Sequence, residues 1–211
     1  LQRWRESTSL RENATTFGRV NLPGFTMDIY ENGKHARRHR VIIGSNALDV
    51  DREGWKQGHL NRTPFLKTRI YKVILNPTWM VPKRIRKQEI EPALEKNPNL
   101  FAEKGYREVT LSTGDTVIVQ GSGKNNALGR VKFLLEKTNA IYLHDTDKRH
   151  LFRKDVRAFS HGCMRVHEAL DFGQYLAQTY AEKEEEKYQR LLRTKKPVPI
   201  PLKTPLDLYT E

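Results

Sequence analysis

Residues 159–166 read Phe-Ser-His-Gly-Cys-Met-Arg-Val, and residues 141–146 read Ile-Tyr-Leu-His-Asp-Thr. The first stretch contains Cys163, the only thiol of the chain. A cysteine at its usual pKa of about 8.5 is only a few per cent thiolate at neutral pH, so nucleophilic work needs a nearby base or positive charge. His144, at the end of a predicted strand, and His161, two residues before the thiol, are the candidate bases.

The residues around this thiol allow more than one kind of site. Gly162 permits a tight turn that would direct consecutive backbone N–H groups at a carbonyl attacked by the sulfur, forming an oxyanion hole. A lone cysteine such as Cys163 is also often a buried and inert small side chain. A zinc site built from His144, His161 and Cys163 is a further alternative, although the chain has no Cys-x-x-Cys or His-Glu-x-x-His spacing. We therefore expect a nucleophilic thiol, with no metal ion and no cofactor.

The composition excludes several classes of protein. The chain has 211 residues, 37% of them apolar, with eight Phe, eight Tyr and three Trp, which argues against a disordered protein. No stretch approaches the roughly 20 apolar residues that a membrane helix needs, so none is predicted. A single cysteine excludes an intramolecular disulfide. At about 150 residues per domain, the length predicts one large domain, or one domain with an inserted subdomain.

The pattern of apolar residues predicts mainly strands, interrupted by a helical insertion. Alternation over 20–30 predicts one strand, and the chain from Pro82 to Gly105 changes to a helical period. Two helices are expected at 167–180 and 181–193, and the alternate prolines of 197–202 predict an edge strand. Further strands are expected at 40–44, 70–75, 109–111, 116–120, 129–135 and 140–144.

The order of several motifs resembles the L,D-transpeptidases with the YkuD-type catalytic domain, in their larger proteobacterial branch. The blocks that carry the resemblance are 41–44 (Val-Ile-Ile-Gly), 62–64 (Arg-Thr-Pro), 76–82 (Asn-Pro-Thr-Trp-Met-Val-Pro), 126–133 (Asn-Ala-Leu-Gly-Arg-Val-Lys-Phe), 141–146 and 159–166. The resemblance implies a mainly β fold with flanking helices (α+β), a β-sandwich-like catalytic domain over 20–211 with a helical lid insertion at about 82–123. Residues 1–19 would form an N-terminal segment.

The same resemblance implies the chemistry. Cys163 would attack the carbonyl between meso-diaminopimelate and D-alanine in a peptidoglycan tetrapeptide stem and form a thioester. His144 would take the thiol proton, oriented by the Asp145 region or by a backbone carbonyl, and N–H groups around Gly162 and Cys163 would stabilise the oxyanion. An amine acceptor would give a 3→3 cross-link or D-amino-acid exchange, and water would make the enzyme an L,D-carboxypeptidase. Carbapenem-type inhibitors would acylate the same thiol.

Five neighbouring residues receive supporting predictions. His161 is expected to support the site rather than to be its base, and Ser160 to hydrogen-bond the turn. Arg165 would hold a substrate carboxylate or brace the site in a structural ion pair, two alternatives that the sequence leaves open. Tyr142 would line the donor cleft, and Trp79 would contact substrate under the lid.

The net charge of +13 leaves a non-enzymatic alternative open. Basic clusters at 37–40, 83–87, 149–157 and 193–196 would attract any polyanion, so a polyanion-binding module is the rival class. No helix-turn-helix spacing, RNP-like aromatic pattern or zinc finger accompanies them, so we predict no nucleic-acid partner. The cell wall is also anionic, and we expect a periplasmic or cell-wall-associated enzyme whose secretion signal or upstream domain lies outside this sequence. The sequence carries no signal of oligomeric state.

Overall fold

The computed structural model describes residues 14–50, 55–138 and 140–211 of the chain. Most of the predicted N-terminal segment 1–19 therefore lies outside the described residues. The strands found in the described part are β1 (Phe17–Asn21), β2 (Thr26–Glu31), β3 (Lys34–Gly44), β4 (Asp49–Val50), β5 (Lys56–Gly58), β6 (Lys67–Leu75), β7 (Trp79–Met80), β8 (Tyr106–Thr110), β9 (Thr116–Gln120), β10 (Val131–Leu135), β11 (Tyr142–His144), β12 (Ala158–Ser160), β13 (Met164–Val166) and β14 (Val198–Thr210).

Nine of these strands form one sheet that closes on itself. Their order is β12-β3-β13-β11-β10-β6-β14-β1-β2, and β2 pairs with β3 as well as with β1. The closure depends on the 11-residue β3, which pairs with β2 through its first part and with β13 through Val41 and Ile42. The expectation of a mainly β fold with flanking helices is confirmed.

Alternation along the strands separates a core face from a polar face. Phe133 on β10, Leu143 on β11 and Met164 on β13 are fully buried in one hydrophobic cluster. Because successive side chains of a strand point to opposite sides, the residues between them project from the other face. The chemically active side chains therefore lie together on the side of the sheet that faces away from this core.

Two helices cover the core. These helices, α4 (Ala169–Ala181) and α5 (Glu185–Arg193), follow β13 in the chain; helices α1–α3 precede β8 and are described below. Phe172 and Leu176 of α4 are fully buried and share the core cluster with Phe133. Tyr188 of α5 is also fully buried and donates its hydroxyl hydrogen to the Leu170 carbonyl at 3.0 Å. The burial of these large side chains fixes both helices against the sheet.

The chain between β6 and β10 forms a smaller unit with its own core. Its helical part consists of α1 (Lys83–Ile85), a π-helical turn (Arg86–Ile90), α2 (Glu91–Lys96) and α3 (Leu100–Lys104). A separate sheet of order β7-β9-β8 completes it. Its buried residues form a second cluster, Val81, Ile85, Ile90 and Ile118. We call this unit the lid. Its boundaries at about 82–123 stay a prediction from the sequence.

One strand prediction is wrong in detail, and another covers only part of a longer strand. The expected single strand over 20–30 is broken by a turn at 22–25, where the Gly24 N–H donates to the Asn21 side chain at 2.8 Å and Phe25 takes a φ of 52°. The edge strand predicted at 197–202 agrees with the first part of β14, whereas the later part of β14 lies between β6 and β1. Pro199 and Pro201 sit in its first part, which pairs with β6 alone, so their missing N–H groups break no ladder.

Candidate active site

Three adjacent strands, β10, β11 and β13, bring the predicted site residues onto one face. His144 on β11 is the register partner of Lys132 on β10 and of Arg165 on β13. Tyr142 lies two residues before His144 on β11, so it shares this face. Cys163 immediately precedes β13, and its thiol interacts with Tyr142, Lys132 and Arg165. Lys132 and Arg165 act electrostatically on both His144 and Cys163. The nucleophile and base candidates thus belong to one cluster of charges.

The thiol of Cys163 is a protonated group in this arrangement. Its S–H donates to the Ala140 carbonyl at 3.4 Å. Burial raises the pKa of the thiol, against the opposing effects of Tyr142, Lys132 and Arg165. A sulfur in this state attacks a carbonyl only after its proton has been removed.

His144 is buried, with 5% of its surface exposed, and is held in one tautomer. Its Nδ1 contacts the Asp145 backbone carbonyl at 2.5 Å, and since a carbonyl only accepts, Nδ1 carries the hydrogen and Nε2 the lone pair. Burial, together with the positive charges of Arg165 and Lys132, lowers the pKa of His144 to about 3. The sequence left open whether the Asp145 region or a backbone carbonyl orients His144. In the structure, the backbone carbonyl of Asp145 is the group that contacts His144 Nδ1.

The Asp145 carboxylate is directed elsewhere. Its Oδ2 accepts hydrogen bonds from the Arg130 backbone N–H at 2.9 Å and from the Arg149 guanidinium at 3.1 Å. Gly129 packs against it with a φ of 59°, and a Cβ at this position would lie 2.4 Å from the Asp145 Cγ. The side chain of Asp145 therefore anchors the loop before β10, while its backbone orients His144.

The turn that carries the nucleophile is held by two hydroxyl groups. Ser160 Oγ donates to the Cys163 carbonyl and accepts from the Gly162 N–H at 3.3 Å. Thr63 Oγ1 donates to the Gly162 carbonyl at 2.8 Å and accepts from the Gly44 N–H at 2.8 Å. Gly162 has a φ of 112°, which disfavours other residues. Because its N–H is bound to Ser160, the oxyanion role predicted for Gly162 remains a prediction.

Sequence reasoning did not single out Thr63. Its hydroxyl is buried, and it joins two chain segments about 100 residues apart. The only sequence signal was its position inside one of the motif blocks, residues 62–64.

His161 turns toward the lid rather than toward the thiol. Its Nε2 lies 2.6 Å from Glu89 Oε1, and Glu89 belongs to the π-helical turn. The pKa of Glu89 is lowered mainly by this hydrogen bond with His161. A second contact involves helix α1 of the lid, where Arg84 hydrogen-bonds the Asn61 side chain. Single π-helical turns occur frequently at functional sites, and here one joins the lid to the nucleophile turn.

The three predicted substrate-binding residues line the same face. Arg165 is partly exposed, and its Nε is buried without a hydrogen-bond partner among the described residues. Tyr142 has the Lys132 ammonium 3.7 Å from its ring centroid, and its hydroxyl interacts with both Cys163 and the side chain of Trp79. Burial raises the pKa of Tyr142 far above its usual value. Trp79, on β7, therefore brings the lid into contact with the polar face.

The described residues contain no convergent set of three His, Cys, Asp or Glu side chains suited to a metal ion. Within the same residues, no helix is both long enough and apolar enough to cross a membrane.

Comparisons with known proteins agree with the motifs. The family model of the L,D-transpeptidase catalytic domain (YkuD) matches residues 16–199. The chain is 29% identical over 209 residues to a Haemophilus influenzae protein named "Putative L,D-transpeptidase"; the match covers 90% of this chain and 40% of that protein, so this chain spans less than half of its relative's length.

Two solved structures are similar over most of the chain. An L,D-transpeptidase from Mycobacterium smegmatis is 11% identical, with a TM-score of 0.45, over 94% of this chain and 59% of that one. L,D-transpeptidase 1 from Mycobacterium tuberculosis is 10% identical, with a TM-score of 0.38, over 92% of this chain and 60% of that one.

Proposed function

Because this chain belongs to the family of L,D-transpeptidase (YkuD) catalytic domains, we propose that it is a cysteine-dependent peptidoglycan L,D-transpeptidase with Cys163 as nucleophile and His144 as base. One observation carries the proposal. The only thiol of the chain lies in the same cluster of charged side chains as a buried, neutral histidine whose Nε2 carries the lone pair. Such a pair is the minimum that thiol acyl transfer requires.

In the first half-reaction, the sulfur attacks the carbonyl carbon that joins the L-centre of meso-diaminopimelate to D-alanine. The thiol proton passes to Nε2 of His144, and an S–C bond forms. Collapse of the tetrahedral intermediate breaks the C–N bond, and His144 returns the proton to the departing D-alanine amine. The products are a thioester on Cys163 and free D-alanine.

In the second half-reaction, the amine of a neighbouring stem attacks the thioester. The new C–N bond forms, the S–C bond breaks, and His144 carries the amine proton back to the sulfur. The product is a 3→3 cross-link. A D-amino acid as acceptor gives exchange, and water gives a shortened stem.

Arg165 is the residue we assign to a carboxylate of the donor stem. Its Nε is buried beside the thiol and has no hydrogen-bond partner in the described part of the chain, and an unpaired guanidinium nitrogen is costly to bury. A stem peptide with free carboxylates would satisfy it. Tyr142 and Trp79 would line the donor cleft. We also propose a periplasmic or cell-wall location, since this substrate occurs outside the cytoplasmic membrane.

Product analysis tests the proposal. The purified protein is incubated with disaccharide-tetrapeptide, and the products are measured by mass spectrometry. Cross-linked dimers, exchanged stems or shortened stems would identify transpeptidation, exchange or the carboxypeptidase alternative. Cys163→Ala is expected to abolish all three, whereas His59→Asn, a change in a histidine outside this face, leaves turnover unchanged.

A carbapenem gives a second readout. We expect a covalent adduct on Cys163 by intact-mass spectrometry and none in Cys163→Ala. Absence of an adduct, together with unchanged binding of Cys163→Ala to wall sacculi, would support the polyanion-binding module instead. Stoichiometric zinc in active protein would overturn the assignment of a thiol mechanism without metal.

A further inference from the structure

We propose that Lys132 is a positioning residue that supplies the counter-charge of the Cys163 thiolate, together with Tyr142, which contacts both the ammonium and the sulfur. This inference rests on the proposed function, in which Cys163 is the nucleophile. In this scheme, Lys132 on β10 stabilises the sulfur anion, and His144 on β11 transfers the proton.

The geometry places the ammonium where it acts on the sulfur. Lys132 is the register partner of His144, yet its Nζ lies 3.7 Å from the ring centroid of Tyr142, two residues earlier on β11. Tyr142 in turn interacts with Cys163 through its hydroxyl and its backbone. Lys132, Tyr142 and Cys163 thus follow one another across three adjacent strands.

Lys132 is not committed to a structural ion pair. In the described residues, no carboxylate lies within ion-pair distance of its ammonium, although this charge is partly buried. Burial lowers the pKa of Lys132, and Cys163 is the group that opposes this effect. A half-buried charge without a carboxylate partner is costly unless another anion compensates it. A thiolate formed during turnover is such an anion.

Other charged groups near the sulfur do not replace Lys132. His144 is held neutral, since its pKa is about 3, so a resting imidazolium is unavailable as the counter-charge. Arg165 also interacts with Cys163, but the negative charges of Asp147 and Glu89 nearby offset part of its positive charge. Its effect on the thiol pKa is smaller than that of Lys132.

The contact with Tyr142 strengthens the effect. An ammonium over the face of a phenol withdraws electron density from the ring, which makes the hydroxyl a stronger hydrogen-bond donor. This hydroxyl interacts with the sulfur and with Trp79. The lid residue Trp79 therefore completes the surroundings of the anion.

The test is the pH dependence of alkylation of the free protein, without substrate. Iodoacetamide modification of Cys163 is followed by intact mass between pH 6 and pH 11 in the wild type, Lys132→Met and Lys132→Arg. We expect Lys132→Met to shift the midpoint upward by about one pH unit, which is about tenfold slower alkylation below the midpoint. Lys132→Arg keeps the charge and should restore most of the rate.

Lys72→Met is the matched control. Lys72, on β6, also lies over a tyrosine ring, with its Nζ 5.3 Å from the Tyr71 centroid, but it does not contribute to the pKa of Cys163. Its alkylation midpoint should equal that of the wild type. Tyr142→Phe keeps the ring and removes the hydroxyl, and should move the midpoint in the same direction as Lys132→Met by a smaller amount.

An unchanged midpoint in folded Lys132→Met, checked by circular dichroism, overturns the inference. So does a rise in KM with an unchanged alkylation profile, which would assign Lys132 to substrate binding. If Lys132→Met does not fold, Lys132→Gln takes its place, and if neither folds, an unchanged midpoint in Tyr142→Phe overturns the inference. Turnover by Cys163→Ala would refute the proposed function instead, so the two failures are distinguishable.

Discussion

Replacing Thr63 by valine tests how the nucleophile turn is held. Valine matches threonine in shape but lacks the hydroxyl. The wild-type hydroxyl donates to the Gly162 carbonyl at 2.8 Å and accepts from the Gly44 N–H at 2.8 Å. The side chain is 2% exposed, so water does not readily replace these bonds in the variant.

The magnitude follows from the two backbone groups that lose their partner. A buried donor or acceptor left unsatisfied costs about 1–3 kcal/mol, so the two groups together should lower the free energy of unfolding of Thr63→Val by about 2–6 kcal/mol. The Gly162 carbonyl immediately precedes Cys163, so the sulfur should also shift relative to His144. A misplacement on the order of 1 Å can reduce the rate of a positioned reaction about a hundredfold.

Two measurements check both consequences. Urea denaturation gives the free energy of unfolding, and stopped-flow mass analysis gives the rate of acylation by a carbapenem. Thr63→Ser keeps the hydroxyl and should acylate at nearly the wild-type rate. Thr113→Val, which removes an exposed hydroxyl from the lid, should change neither quantity. Wild-type stability and acylation in Thr63→Val would refute the bridging role.

Three further changes have distinct expected outcomes. Burial lowers the pKa of His144 to about 3, so its contribution to stability is full above pH 6.5 and declines as the pH falls toward 3. When the pH falls from 7 to 4.5, the free energy of unfolding of His144→Gln should therefore decrease by about 2 kcal/mol less than that of the wild type. Urea denaturation at the two pH values measures this difference. Gly129→Ala should lower the melting temperature more than Gly114→Ala, because both have positive φ but only Gly129 has a side chain where the new Cβ would lie. Glu89→Gln should cost less than about 1 kcal/mol in thermal unfolding, since its pair with His161 is partly exposed; a larger loss would show that the lid is more tightly coupled to the sheet.

Local patterns predicted the elements near the site well. Alternation over 131–135 and 141–144 identified β10 and β11, and the helical period after Pro82 identified the lid helices. The turn at 22–25 was missed although the alternation changes phase there, with apolar residues at 20 and 22 before Pro23-Gly24 and at 25, 27 and 29 after it. The central place of the later part of β14 was missed because the prediction rested on the alternate prolines of 197–202, which lie in the part that pairs on one side only.

The site itself was predictable only where neighbours in sequence are neighbours in space. Cys163, Gly162 and Ser160 form one local turn, and the motif contains them all. The contact between His161 and Glu89 joins residues more than 70 positions apart, and no local period encodes it. The sequence also could not decide whether the backbone carbonyl or the carboxylate of Asp145 orients His144. The outcome depends on the loop around Arg130, whose backbone N–H binds the carboxylate.

The chain leaves the sheet to form the lid and returns to it at neighbouring positions. Leu75, at the end of β6, and Val131, at the start of β10, are register partners, and the Asn76 N–H donates to the Arg130 carbonyl at 2.8 Å. The chain segment between these residues, which includes the lid, therefore leaves the closed sheet and re-enters it at adjacent positions. Such a loop can lengthen or shorten without a change in the strand register of the sheet, but its replacement by an unrelated segment would also remove Trp79 and Glu89, the lid residues that contact Tyr142 and His161.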